Sequence, residues 1–87
     1  MNSKYLAEFA GTLFLVYVIL ATGNALAIGA ALAIAILLTS KISGGNLNPA
    51  VSITMAVAGK LSKSDLLPYV VAQIAGGLAA YELYKRL

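Results

Sequence analysis

The sequence predicts an all-α membrane protein with three transmembrane helices and one re-entrant half-helix, on the strength of three observations. The 87 residues are 61% hydrophobic and only 10% charged. Membrane-spanning chains have that balance, whereas a water-soluble domain this short needs many charges and usually a covalent or metal staple. The run from Phe9 to Ser40 carries no charge, and at about 32 residues it is too long for one crossing and marginal for two, so it must fold back. Finally, residues 43–52 read SGGNLNPAVS, a helix-start signal with about ten residues before the next lysine, Lys60, half of what a crossing requires.

Thr22-Gly23-Asn24 is the one turn-forming cluster in the long run. It places the first span at 4–21 and the second at 25–42, joined by a very tight connection. A secretory signal peptide over residues 1–27, with Lys4 as its positive region and Ala25-Leu26-Ala27 as its cleavage site, competes for the N-terminal part. Glu8 inside the apolar run argues against it. The third span is predicted over 66–84, behind the capping-type cluster Ser62-Lys63-Ser64-Asp65, with Pro68 in its first turn, where proline is tolerated. Tyr5, Tyr69, Tyr81 and Tyr84 fall near predicted span ends, the pattern of an aromatic belt. Gly29 with Ala33, and Ala72 with Gly76 and Ala80, set small residues four apart, which lets helices approach closely in lipid, although such residues are common in membrane helices generally.

Composition narrows the function as well. With no Cys, disulfides and thiolate metal sites are excluded, and with no His the commonest metal ligand and general base is missing. No metal, no cofactor and no enzyme activity are expected. The net charge of +3 comes from six Lys and Arg placed singly or in pairs near segment ends. They resemble headgroup anchors more than a nucleic-acid patch, so the partner implied is the lipid bilayer, crossed several times.

Residues 43–59 form the segment that the spans do not absorb. Asn48 suits an N-cap and Pro49 the first helical position, which predicts a helix from Pro49 to about Gly59, roughly 16 Å long. A helix lying flat on the membrane surface needs a polar face, yet Ala50, Val51, Ile53, Met55, Ala56, Val57 and Ala58 surround this one on nearly all sides. A re-entrant hairpin meets the requirement: the Gly-rich loop dips to mid-membrane and the helix returns to the same face by Lys60. A surface helix or simple loop is the alternative. Non-helical backbone at that depth must be buried in protein or line a wet cavity.

Asn48-Pro49-Ala50, preceded by Ser43-Gly44 and opening a short helix, resembles the NPA box of the aquaporin and glycerol-facilitator family, the major intrinsic proteins. Ala7-Glu8-Phe9-Ala10-Gly11-Thr12 resembles the opening of that family's first helix and Val71-Ala72-Gln73-Ile74-Ala75-Gly76 its third, so nearly the whole chain is covered. The resemblance implies one half of an aquaporin-like fold, since in the family two inverted three-helix halves enclose one pore and their half-helices meet at the midplane. It further implies a second half, most economically an antiparallel copy, and a higher assembly of four pores in eight chains. Lys4, Lys41, Lys60 and Lys63 fall on one predicted face and Lys85 and Arg86 on the other, a bias weak enough for both orientations.

By the same resemblance, the carbonyls of Gly44, Gly45, Asn46 and Leu47 form a ladder of acceptors and Asn48 donates its amide to a passing neutral solute, water or glycerol. Ile28, Leu32 and Ile36 supply an apolar opposite wall, or else are ordinary packing and lipid-facing residues. Glu8 accepts hydrogen bonds from the loop and Gln73 assists it; the alternative for Glu8 is an interfacial acid reaching for the headgroups. The family's second half carries Arg directly after its box where this chain has Val51, and its first halves often have His where this chain has Asn46. The resemblance implies Ile28 and Ile36 at the remaining filter positions if both halves of the pore are this chain. Two other classes stay open: a non-conducting assembly partner or regulator of a full-length channel, and a small-cation exporter, which lacks a spare membrane-embedded acid because Glu8 is the one candidate.

Overall fold

The computed structural model describes residues 2–87, which form four α-helices and no strand: α1 (Ser3–Thr22), α2 (Ala25–Thr39), α3 (Pro49–Val57) and α4 (Lys63–Arg86). Together they measure 37 × 24 × 19 Å. The helix α1 starts where the Asn2 side chain accepts from Lys4 N and stops where Gly23 turns left-handed (φ 55°) and donates to Ile19 O. Asn24 then caps α2 by accepting from Ala27 N at 3.0 Å. Two residues therefore reverse the chain, because one supplies positive φ and the next the missing acceptor.

Two boundaries differ by three residues from the sequence expectation. The helix expected to reach Ile42 ends as a regular helix at Thr39. Thr39 O receives both Ile42 N (2.9 Å) and Ser43 N (2.8 Å), and Thr39 Oγ1 bonds back to Ala35 O at 2.8 Å, so the coil tightens into irregular turns as it is drawn toward the loop. At the other site α4 begins at Lys63 and not Leu66. Pro68 is thus the sixth helical residue, beyond the first turn, and removes the N–H that Ser64 O would take. The early start is held by α1: Asp65 accepts from Lys4 Nζ at 2.6 Å and from Tyr5 Oη at 2.7 Å.

The first helix is central, packed against α2 on one side and α4 on another, while α3 rests on α4. Tyr5 meets Tyr69 edge to face, and further along a Cβ at Gly76 would lie 2.5 Å from Phe9 O, so α1 and α4 run in the same direction at close approach. Gly76 and Ala80 lie inside that contact, and Ala72 at its edge. In α2 the buried stripe is Ala31, Ala35 and Thr39. The expected pair Gly29 and Ala33 is exposed instead, and nothing lies within 4 Å of a Cβ built on Gly29.

Polarity is distributed inside out. The largest fully buried side chains are Tyr69, Gln73, Glu8 and Ser52, while Leu26, Leu37, Val57 and Leu67 stand exposed. Such a surface suits hydrocarbon and not water. Helices α1 and α4 are each long and apolar enough to cross a bilayer, and α2 is a shorter apolar helix. Tyr81 and Tyr84 are exposed near the end of α4, but Tyr69 is buried and does not belong to a belt.

Candidate functional site

The buried polar groups converge on the segment 43–48. Gly44 (φ 92°), Gly45 (φ 63°) and Leu47 (φ 58°) all take left-handed backbone conformations. Glycine adopts these freely, but for Leu47 the cost is on the order of 1–2 kcal/mol. That strain is held from two sides. The Leu47 side chain fills the space over Gly11, where a Cβ would come within 2.6 Å of Leu47 Cδ2. Its N–H donates to Glu8 Oε1 at 2.7 Å.

Glu8 lies on α1, fully buried, one turn past Lys4. Its Oε1 also accepts from Gln73 Nε2 (2.8 Å), and its Oε2 accepts from Ser43 Oγ (2.6 Å) and Asn46 N (3.1 Å). Four donors converge on two oxygens, the arrangement a carboxylate satisfies best. Ser52, on the buried face of α3, accepts from Asn46 Nδ2 (2.9 Å) and Gln73 Nε2 (2.8 Å) and so joins loop, half-helix and α4. Tyr69 donates its hydroxyl to Ser43 O at 2.7 Å. Thr12 Oγ1 and Gln73 Oε1 are buried without a partner among the described residues.

Hydrogen bonds on this loop are one-sided. All four N–H groups from Gly44 to Leu47 donate, to Ser40 O, Ser43 Oγ and the two oxygens of Glu8. None of the four carbonyls from Gly44 to Leu47 accepts a bond among the described residues, although Ser43 O and Asn48 O on either side do. Asn48 Oδ1 accepts from Ala50 N at 2.8 Å, which caps α3 and leaves Nδ2 as the amide's free donor on an exposed residue. At its far end α3 stops in a Schellman turn: Gly59 is left-handed (φ 78°), Gly59 N bonds Ala56 O and Lys60 N bonds Met55 O. The half-helix thus ends at Val57, two residues short of the sequence expectation, at about 14 Å.

The other singled-out residues fall in three places. Pro49 opens α3, with Ala50 and Val51 on its exposed face, where with Thr54 and Met55 they line an open groove of about 400 Å³. Ile36 backs the loop, its Cα 3.4 Å from a Cβ built on Gly45, while Ile28 lies two turns away along α2, about 12 Å. The Asn46 side chain points inward to Ser52, so this residue offers the exterior only its carbonyl. Ser52 and Tyr69 were missed as site residues by sequence reasoning. One signal was present: Asp65, Tyr69, Gln73, Gly76 and Ala80 repeat at helical spacing down one stripe of α4.

The major intrinsic protein family model matches residues 1–87. Glycerol uptake facilitator protein-like 6 of Lactiplantibacillus plantarum is 42% identical over 94% of this chain and 42% of its own length. Aquaporin Z of Brucella melitensis is 42% identical over 92% of this chain and 42% of its own length. The propanediol uptake facilitator PduF of Salmonella typhimurium is 44% identical over 68% of this chain. No solved structure matches the chain significantly. The chain therefore spans about two-fifths of the length of its first two relatives. A match over its whole length makes the chain a member of the major intrinsic protein family.

Proposed function

We propose that the chain is one half of a membrane channel for passive flux of water and small neutral solutes such as glycerol, completed by an inverted copy of itself. Members of the family are integral membrane channels and not enzymes. The observation that carries the reading is the one-sided loop: its N–H groups all donate within the chain, while four successive carbonyls and the Asn48 Nδ2 have no partner among the described residues. A neutral solute bearing hydroxyls can exchange water for those acceptors and that donor without tight binding. Glu8 and Gln73 hold the loop and do not touch the solute. Ile28, Leu32, Ile36 and Val51 form the apolar remainder of the wall.

In this reading residues 43–59 are re-entrant, with the loop entering from the face that carries Lys4, Lys41, Lys60 and Lys63. Free carbonyls and an Asn-capped helix start facing hydrocarbon would be costly, so a second half must cover them and enclose water. Two half-helix N-termini and two Asn48 amides then meet mid-membrane, where their positive potential repels cations. The bias in Lys and Arg between the two faces is four to two. That is weak enough for an antiparallel homodimer, and four such pores would form the higher assembly. The chain spans about two-fifths of the length of these relatives, so a different polypeptide segment is the competing source of the missing half.

The test is purified protein in liposomes, scored by shrinkage under a water gradient and then a glycerol gradient. Flux with no other chain present supports the homodimer. Folded protein without flux refutes it and leaves a pairing partner or regulator of a longer channel. A C-terminal tag accessible on both faces in comparable amounts is expected, and a single orientation points to the second source.

A further inference from the structure

We propose that Tyr69 is a positioning residue for the loop: it sets where the run of free carbonyls begins and couples that run to the Lys4–Asp65 ion pair. Its consequence for flux rests on the pore reading above; the coupling stands on geometry alone. Tyr69 is 2% exposed, and among the described residues its hydroxyl has one partner, Ser43 O at 2.7 Å. Ser43 directly precedes Gly44, so without this bond its carbonyl would be a fifth free acceptor at the head of the run. The Ser43 hydroxyl is meanwhile held by Glu8, which gives the residue a second anchor, on α1. A phenylalanine would fill the same volume between α1 and α4, so packing gives no reason for the hydroxyl.

The ring of Tyr69 is itself oriented. Tyr5 meets it edge to face, with centroids 5.9 Å apart and planes at 83°. The Tyr5 hydroxyl donates to Asp65 Oδ1 at 2.7 Å, and Asp65 Oδ2 takes Lys4 Nζ at 2.6 Å. Asp65 lies one turn before Tyr69 on the same stripe of α4. The Lys4 side chain is 32% exposed, so an ion pair in reach of solvent and headgroups connects through two rings to the first carbonyl of the loop. Anything that breaks the pair loosens Tyr5, then Tyr69, then Ser43.

A chemically synthesised chain labelled ¹³C=¹⁸O at the Ser43 carbonyl, folded in lipid nanodiscs, reports this directly by infrared absorption. In Tyr69→Phe the labelled band is expected to move to higher wavenumber. Exchange of the Asn46 and Leu47 amide protons should speed up roughly 2- to 12-fold, the factor carried by one neutral hydrogen bond. Asp65→Asn and Tyr5→Phe retain the Tyr69 hydroxyl and should move the band the same way by less; they keep the test decisive if Tyr69→Phe does not fold. An unmoved Ser43 band in folded Tyr69→Phe overturns the positioning role. A band that ignores both Asp65→Asn and Tyr5→Phe overturns the coupling to the ion pair. In liposomes Tyr69→Phe should change the ratio of glycerol to water flux; band shifts in a chain whose parent never conducts uphold the positioning and refute the pore reading.

Discussion

Replacing Glu8 by Gln changes one oxygen to NH₂ and removes one charge, and its effect can be worked bond by bond. The remaining oxygen can keep Leu47 N and Gln73 Nε2, now as neutral bonds, a loss of about 1 kcal/mol each. On the other side the Ser43 hydroxyl can rotate and accept from the new NH₂. Asn46 N cannot reverse. It becomes a buried donor facing a donor, at a cost of about 1–3 kcal/mol. The loop therefore loses about 3–5 kcal/mol, more than the on the order of 1–2 kcal/mol of left-handed strain that Leu47 holds in check. Because α1 and α4 pack through Tyr69, Gly76 and Ala80 as well, the damage should stay local to the loop. Hydrogen exchange in nanodiscs tests this: the Asn46 and Leu47 amides should exchange about two to four decades faster, at 1.36 kcal/mol per decade, while α1 and α4 amides hardly change, and flux in liposomes should collapse. Folded Glu8→Gln with less than tenfold faster exchange at these two amides would show that the carboxylate does not anchor the loop.

Further substitutions separate packing from conduction. Gly76→Ala puts a Cβ 2.5 Å from Phe9 O, a backbone atom that cannot swing aside; a loss of about 1–3 kcal/mol is expected in detergent unfolding, whereas Gly29→Ala, inside α2 with open space around it, should stabilise by about 0.5–1 kcal/mol. Asn48→Ala removes the Oδ1 cap on Ala50 N, costing about 0.5–2 kcal/mol, and with it the free Nδ2, so conduction should fall. Asn48→Asp keeps the cap but puts an anion where the donor was, and should cut neutral flux while admitting cations; if both variants conduct like the parent, Asn48 does not line the path. Val51→Arg places donors on the exposed face of α3 beside Asn48 and should lower glycerol flux relative to water; an unchanged ratio removes Val51 from the wall.

The helices were legible where their signals are local. Gly23-Asn24 marks the first reversal and Asn48-Pro49 the start of α3, since cap and turn chemistry is written into adjacent residues. The misplaced ends have distant causes: α2 stops at Thr39 because the coil is pulled toward Glu8 on another helix, and α4 starts at Lys63 because Asp65 finds Lys4 and Tyr5 61 and 60 residues away. The packing face of α2 was not legible, because an all-apolar helix presents no stripe, and Ala31 and Ala35 look no different from Ala33. Tyr69 was misplaced for a related reason. A tyrosine near a span end suits the membrane interface or the interior equally well, and the acceptor that decides between them, Ser43 O, lies 26 residues away.

The allocation of bonds on the loop also bears on what kind of protein this is. A segment kept only to pack against a longer channel has no reason to discriminate between donors and acceptors. Burying irregular backbone favours pairing both, because an unpaired carbonyl in hydrocarbon costs as surely as an unpaired N–H. Here the two are treated differently. The chain commits a fully buried carboxylate to the N–H groups of Asn46 and Leu47, the Ser40 carbonyl to that of Gly44 and the Ser43 hydroxyl, at 3.4 Å, to that of Gly45, and among the described residues applies nothing to the four carbonyls of the same residues. Tyr69 shows that a hydroxyl can be supplied to a carbonyl of this segment, since it does so at Ser43, one residue earlier. Acceptors left free beside a saturated set of donors need a mobile donor to satisfy them. Water and small polyols are such donors, and this favours the conducting role over the purely structural one.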